Sequence, residues 1–369
     1  MSLQGFLRQQ VCRCVLAVVG MATLGGFAAA QKYDQKNLVS DIPGRALTRD
    51  PNCTTPNTTQ GCALLNAWGL DFSPTSPAWV ADNGSGLSTL YTGTGGIVPL
   101  VVKIPSGSDA QSAPTGLVFN GTGKFSVKSH DLSGSAFFIF DSEDGIISGW
   151  NPNVNLNRAI IAVNNSDKNA IYKGLAIGTD AEGNSFLYAT NFHSGWVEMY
   201  DSNFKWVKNF TDMTLPTGYA PFGARVLNGK LYVTFALQDE DAEDDVAGAG
   251  HGFVDIFDLA GNMVKRLTSH GPLNSPWGLA IAPANFGQFS NALLVGNFGN
   301  GHINAFNPMT GTLLGHMLRP SGATLEINGL WALHFGNGAT AGPTNTLLFT
   351  AGPQDESHGL FGTITLPGK

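Results

Sequence analysis

A small residue returns at one point in six short apolar runs, and no other feature limits the fold as strongly. The runs are NAWGLDF (Asn66–Phe72), APTGLVF (Ala113–Phe119), IYKGLAI (Ile171–Ile177), YAPFGARV (Tyr219–Val226), SPWGLAI (Ser275–Ile281) and NGLWALHF (Asn328–Phe335). They align Gly69, Gly116, Gly174, Gly223, Gly278 and Ala332. A residue without bulk there lets two backbones approach closely, as they must where the innermost strands of a ring of sheets crowd an axis. Each run is followed by a second apolar run, a turn, and a third run. Five copies add a fourth: Pro99–Ile104, Arg158–Val163, Trp206–Phe210, Met263–Leu267 and Leu313–Met317. Short apolar segments separated by turn residues, with no helical period, read as strands. The clearest copy, Asn274–Met317, divides into Gly278–Ala282, Ala292–Gly296, Gly301–Phe306 and Thr312–Met317.

The expected fold is all-β: a six-bladed β-propeller of four-stranded blades, at about 66–105, 113–165, 171–212, 219–268, 274–318 and 325–365. The sixth copy lacks its fourth strand, while Asn37–Ser40 precedes the first blade and has no local sheet to join. That segment is expected to supply the missing strand and close the ring. The repeat spacing runs from 47 residues (Gly69 to Gly116) to 58 (Gly116 to Gly174). This exceeds the roughly 40–45 residues of a WD40 repeat, whose GH…WD signature is also missing. The unit is nearer the loose NHL type. Composition agrees, with 47 glycines and 13% charged residues against about 25% in an average domain. A single core for 369 residues would be near the upper limit of size; a propeller divides it among sheet-to-sheet interfaces.

Residues 1–30 read as a secretory signal peptide: Arg8 and Arg13, an apolar Val15–Leu24, then Ala28-Ala29-Ala30 as cleavage site. Residues 31–369 then form one propeller domain, exported and secreted or periplasmic, and no later stretch is long enough to span a bilayer. Loss of Arg8 and Arg13 takes the net charge from −7 to −9. An acidic surface argues against nucleic acid and anionic membranes as partners, and a monomer is expected. Cys12 and Cys14 leave with the signal. Cys53 and Cys62 remain, a close pair that reads as one disulfide in an exported chain.

Several long segments carry a resemblance: NAWGLDFSPTSPAWVADNGSGLSTLY, SEDGIISGWNP, KLYVTFALQDEDAEDDVAGAGHGFVDIFD, GPLNSPWGLAIAP and FTAGPQDESHGLFG. Over nearly all of Lys36–Ile364 the chain resembles an uncharacterised family of exported bacterial proteins, many with a C-terminal PEP-CTERM sorting tail. The resemblance implies a six-bladed NHL-like propeller and no established activity. The chain departs from that pattern in ending at TITLPGK without such a tail, which predicts release, and in carrying the Cys53–Cys62 insertion before blade 1.

Antiparallel pairing puts the start of each first strand beside the end of the second, on one face of the disc. Asp82, Asp141, Asn191, the acidic loop Asp239–Asp245, Asn297 and Glu356 are therefore expected on one rim. A ring of oxygen ligands suits Ca²⁺ or another divalent cation, and resembling gluconolactonase-class propellers hold a metal near this face. The competing reading is turn chemistry, since Asn and Asp cap their own backbone in tight turns. The loop QDEDAEDDVAGAG packs six carboxylates into seven residues but lacks the EF-hand pattern. Asp239, Asp241, Asp244 and Asp245 are its candidate ligands, against a solvated acidic loop.

His193 and His358 offer weak acid/base candidates with Glu356, with no H-E-x-x-H, G-x-S-x-G, phosphate loop or dinucleotide fingerprint to support an enzyme. Trp68, Trp277 and Trp331 beside the small residue read as packing, or as a platform for a sugar or polyphenol. Asn57 and Asn209 are sequons, relevant only in a glycosylating host. Two functions follow. One is a binding or scaffolding propeller holding a ligand, glycan or protein on one face; the other is a metal-assisted hydrolase or lyase of the gluconolactonase-like type.

Overall fold

A Cβ built on any of the five aligned glycines would collide with the next blade's innermost strand, and this contact sets the architecture. It would lie 2.3 Å from the Thr115 oxygen at Gly69, 2.3 Å from the Leu175 nitrogen at Gly116, and 2.9 Å from the Phe222 oxygen at Gly174. At Gly223 it would meet the Trp277 oxygen at 2.4 Å, and at Gly278 the Trp331 oxygen at 2.5 Å. Ala332, in the sixth blade, is buried. The computed structural model describes residues 31–55 and 58–368, so the proposed signal peptide and Asn57 lie outside the described residues.

Six sheets surround the axis, each led by its small-residue strand. Blade 1 comprises Ala67–Asp71, Ala78–Asp82, Leu87–Tyr91 and Ile97–Lys103; blade 2, Pro114–Phe119, Phe138–Ser142, Ile146–Trp150 and Ile160–Asn164. Blade 3 comprises Tyr172–Thr179, Ser185–Asn191, Trp196–Tyr200 and Trp206–Phe210; blade 4, Tyr219–Leu227, Lys230–Leu237, Phe253–Phe257 and Met263–Ser269. Blade 5 comprises Pro276–Ile281, Leu293–Asn297, Ile303–Phe306 and Leu313–His316. Blade 6 has Leu330–Phe335, Leu347–Ala351 and Leu360–Thr365, with Asp34–Ser40 antiparallel outside them, from Asp34 opposite Thr365 to Ser40 opposite Leu360. The ring closes as the sequence predicts, through a longer strand than Asn37–Ser40. Two elements went unread: Thr48–Arg49, a fifth strand parallel to the closing one, and a hairpin, Ser126–Ser129 with Leu132–Ser135, inserted in blade 2.

Apolar side chains alternate along each strand and meet those of the adjacent sheet, giving one core per blade interface. Between blades 3 and 4, for example, Tyr188, Met199, Phe210, Val233 and Phe257 interlock. Leu38 and Val39 of the closing strand are buried with Leu348, Phe361 and Tyr91, joining the last blade to the first. Cys53 and Cys62 are disulfide-bonded. Among the described residues no helix is long and apolar enough to cross a membrane.

A second device ties the blades together. Thr190 of blade 3 places its hydroxyl 2.7 Å from the Phe222 carbonyl of blade 4. Thr350 of blade 6 accepts from its own Ala332 N–H at 3.0 Å and donates to the Trp68 carbonyl of blade 1 at 2.5 Å. The seam between the last and first blades thus uses the same kind of bond as an internal one. Leu38→Ala is expected to cost about 2–5 kcal/mol, read as a lowered midpoint in chemical denaturation with unchanged β-sheet circular dichroism.

Candidate functional site

In every blade the pairing register slips around the small residue, as between Ala67 and Leu70 or between Tyr172 and Leu175. A bulge of this kind breaks the strict alternation of a strand. Residues before the small position gather on one side of the axis, and residues just after it line a cavity on the other. Those before it are Trp68, Thr115, Lys173, Phe222, Trp277 and Trp331. Trp68 stacks on Trp331 with centroids 3.5 Å apart, Phe298 stacks on the same ring at 4.0 Å, and Trp277 meets Trp68 and Trp331 edge-on. With Phe192 and Phe222 they plug the axis. Trp68 and Trp331 are 2% and 1% exposed, so they pack rather than offer a ligand platform.

Lys173 is the one cation in this layer, on top of the plug. Its ammonium lies 5.4 Å from the Trp68 ring centroid and 6.0 Å from that of Phe192, within reach of cation–π attraction. It donates to Glu143, from the turn of blade 2, and to Asp244, from the acidic loop of blade 4, at 2.8 Å. Asp244 is 74% exposed against 26% for Glu143, so solvent screens the first pair and the second dominates. Burial pushes the Lys173 pKa down, but the two carboxylates outweigh it and hold the ammonium above its ordinary value.

Amides complete the floor. Asn66 donates to Glu356 Oε2 at 2.6 Å and to Asn83 Oδ1 at 3.1 Å, and accepts from Trp331 Nε1 at 2.9 Å. Asn83 donates to Glu143 at 2.8 Å. Trp277 Nε1 donates to the Lys173 carbonyl at 2.8 Å, fixing the lysine's backbone. Burial pushes the Glu356 carboxyl up to about 7; the Asn66 hydrogen bond and Lys173 oppose that rise, and the Glu143 charge reinforces it. The resulting upper mouth, about 510 Å³, is lined by Asn66, Asn83, Glu143, Lys173, Asp244 and Glu356 together with Ile171 and Glu243.

Of the expected rim residues, the structure brings Glu356 and, from the acidic loop, Glu243 and Asp244 to this mouth. Asp141 stands one register position earlier than Asp82, Asn191 and Asn297: Asp141 follows Phe140, which pairs with Leu117, just as Thr190 follows Ala189, which pairs with Leu175. A one-residue offset sends a side chain to the opposite face of a strand. Asp141 therefore accepts from Gly116 N–H at 2.6 Å and the Thr115 hydroxyl at 3.0 Å, and burial pushes it up to about 7. Asn191 donates to Glu198 at 2.8 Å and Asn297 to the Pro272 carbonyl at 2.8 Å. Asp82 is fully buried with both oxygens unpartnered, and burial raises its pKa well above the ordinary value.

The acidic loop folds on itself, Asp239 accepting from Glu243 N–H at 2.9 Å. Asp241 is exposed, and Asp245 is pushed up to about 6, chiefly by burial. His358 bonds Asp41 at 2.5 Å, and no hydrogen bond joins His193, Glu356 and His358 among the described residues. A hard cation needs several oxygen ligands around one point. Among the His, Cys, Asp and Glu side chains of the described residues only Asp50, Cys53 and Cys62 bring three ligand atoms within 4.8 Å of one another, and those two sulfurs are bonded to each other. At the mouth the charge that gathers the carboxylates is the Lys173 ammonium, so the groups as they stand do not fit a metal. The packing role read for Trp68, Trp277 and Trp331 is the one they have, whereas Lys173, at the same position of its blade, carried that signal unread.

Two consequences are measurable. The folded pKa of Glu356, about 7, lies above its ordinary value of 4.5. Its proton therefore stabilises the fold below about pH 4.5, and that contribution is lost as pH rises through about 7. Denaturation midpoints of Glu356→Gln are expected to fall less steeply across this window than those of the wild type. Lys173→Met is expected to cost about 1–3 kcal/mol and to move the Glu356 carboxyl titration, followed by carbon NMR, to higher pH.

No protein-family model matches the sequence. Uncharacterized protein R648 of Acanthamoeba polyphaga mimivirus is 30% identical over 338 residues, covering 89% of this chain and 78% of that protein. Uncharacterized protein L690 of the same virus is 30% identical over 315 residues, covering 82% and 80%. Among solved structures, virginiamycin B lyase from Staphylococcus aureus is similar with a TM-score of 0.53 at 13% identity, over 91% of this chain and 99% of that one. The soluble aldose sugar dehydrogenase of Escherichia coli gives 0.52 at 12%, over 91% and 100%. At such identities the likeness is one of fold.

Proposed function

The chain belongs to the family of these two uncharacterized mimivirus proteins, and from that premise we propose that it is a binding propeller whose upper mouth takes a hydrophilic ligand rich in hydrogen-bond donors. The observation carrying this reading is how the mouth spends its own hydrogen bonds. The Asn66 and Asn83 amides and two of the three Lys173 protons are bonded internally, whereas Asp244 Oδ2, Glu356 Oε1 and both Glu243 oxygens have no protein partner among the described residues. One Lys173 proton and one Asn83 amide proton are also free, but most of the unspent capacity is acceptor capacity. An ammonium or a cluster of hydroxyls, on a glycan or on a protein side chain, matches it.

Export belongs to the same proposal. Residues 1–30 read as a signal peptide, the Cys53–Cys62 disulfide suits an oxidising compartment, and the resemblance to exported bacterial proteins points the same way. The test uses glucosamine against N-acetylglucosamine, which share a ring and differ in charge. Glucosamine is expected to raise the melting temperature more, with the difference lost in Asp244→Asn/Glu356→Gln and weakened by salt. Equal or absent shifts from both sugars would remove the proposed preference for donors.

One observation favours a second reading, a hydrolase or lyase assisted by Ca²⁺ or another divalent cation. Glu356, with a pKa of about 7, is poised for proton transfer near neutrality. Glu143 and Asp244 would become available as oxygen ligands once Lys173 is displaced. Melting with Ca²⁺ and with EDTA separates the readings. The binding reading expects no shift in the wild type and a Ca²⁺-dependent gain in Lys173→Met.

A further inference from the structure

The aromatic plug leaves the axis a second, lower end, lined in all six blades by the residue after the small one: Leu70, Leu117, Leu175, Ala224, Leu279 and Leu333. There Asp71 and Arg225, from blades 1 and 4, line a cavity of about 140 Å³ whose walls are otherwise mostly aliphatic, among them Leu117, Leu175 and Val226; His334 of blade 6 stands behind Asp71, its Nε2 3.1 Å from Oδ1. Arg225 reaches across the axis. Its Nη1 donates to the Leu333 carbonyl at 2.8 Å and lies 3.5 Å from that of Leu279.

Among the described residues no other hydrogen bond or ion pair holds the Arg225 guanidinium, and its Nε and Nη2 have no acceptor. Asp71 is near enough to be felt but is already committed. Its Oδ1 accepts from Phe72 N–H at 2.9 Å and His334 Nε2 at 3.1 Å, and its Oδ2 accepts from Phe119 N–H at 2.8 Å.

Arg225 is half-buried; a guanidinium set against aliphatic walls with no ion partner at bonding distance is costly, and its planar fork matches a carboxylate through two parallel bonds. The negative charge of Asp71 beside the cavity disfavours a dianion such as phosphate. An apolar cavity of about 150 Å³ accepts a benzene-sized guest, so this one has room for a short chain. We propose that the lower end of the axis binds a short aliphatic monocarboxylate, its head on the free edge of Arg225 and its tail among Leu117, Leu175 and Val226. This stands apart from the reading of the upper mouth, with which it shares no residue.

Sodium propionate is the probe, titrated calorimetrically into the full chain against sodium chloride of equal ionic strength. Saturable one-to-one binding is expected, with a Kd of about 1 mM. Arg225→Lys should weaken it at least about tenfold, and Arg225→Leu should abolish it. The His334 ring-proton resonances should move saturably with propionate, which locates the site without a variant. Absence of saturable binding to the wild type, an unmoved His334, tighter binding of inorganic phosphate, or unchanged affinity in Arg225→Lys would each overturn the proposal. Should Arg225→Leu fail to fold, Arg225→Lys and the His334 shift decide.

Discussion

Backbone meeting backbone at the axis is the constraint on which the rest depends. At Gly69, Gly116, Gly174, Gly223 and Gly278 the leading strand of one blade lies against that of the next, with no room for a side-chain carbon. A methyl group at any of them would push two sheets apart and open the apolar interface behind it. The ring would then lose a core, not merely a contact. Thr190 and Thr350 bridge adjacent blades beside these positions, so the close approach also satisfies polar groups that no water reaches.

The register slip that accompanies each small residue has a functional side. It lets a single strand of five to nine residues serve both the upper and the lower face, with the plug of Trp68, Trp331, Phe222 and their neighbours between. The two ends differ in character. Above the plug, carboxylates surround a lysine already bonded to two of them; below it, an arginine keeps donors unspent in a mostly aliphatic cavity. One repeat unit thereby produces two unlike mouths, the upper one completed by loop residues such as Asn83, Glu143, Asp244 and Glu356.

The sixfold count, the strand order and the N-terminal closure were legible because they rest on turn spacing and on an unpaired apolar segment, both local properties. The hairpin at 126–135 was not, because its strands, SVKS and LSGS, carry few apolar side chains; Val127, with Phe125 just before it, anchors it to the core. The site was read less well. Asp141 looks like Asp82 in a list of strand ends, and only pairing partners reveal the one-residue offset that turns it toward Gly116. Lys173 and Arg225 were visible as letters, but their meaning depends on which neighbours have already used their hydrogen bonds, and a sequence does not carry that inventory.

Closure has a consequence for how the protein is made. Asp34 lies opposite Thr365 and Ser40 opposite Leu360, so the segment that emerges early must wait for almost the whole chain before it finds its neighbour. Pairing across such a separation is slow to form. Until it happens, both Asp34–Ser40 and Leu360–Thr365 display unsatisfied ladder edges capable of capturing a strand from another molecule. The finished disc hides the seam that is the most hazardous moment in its own assembly.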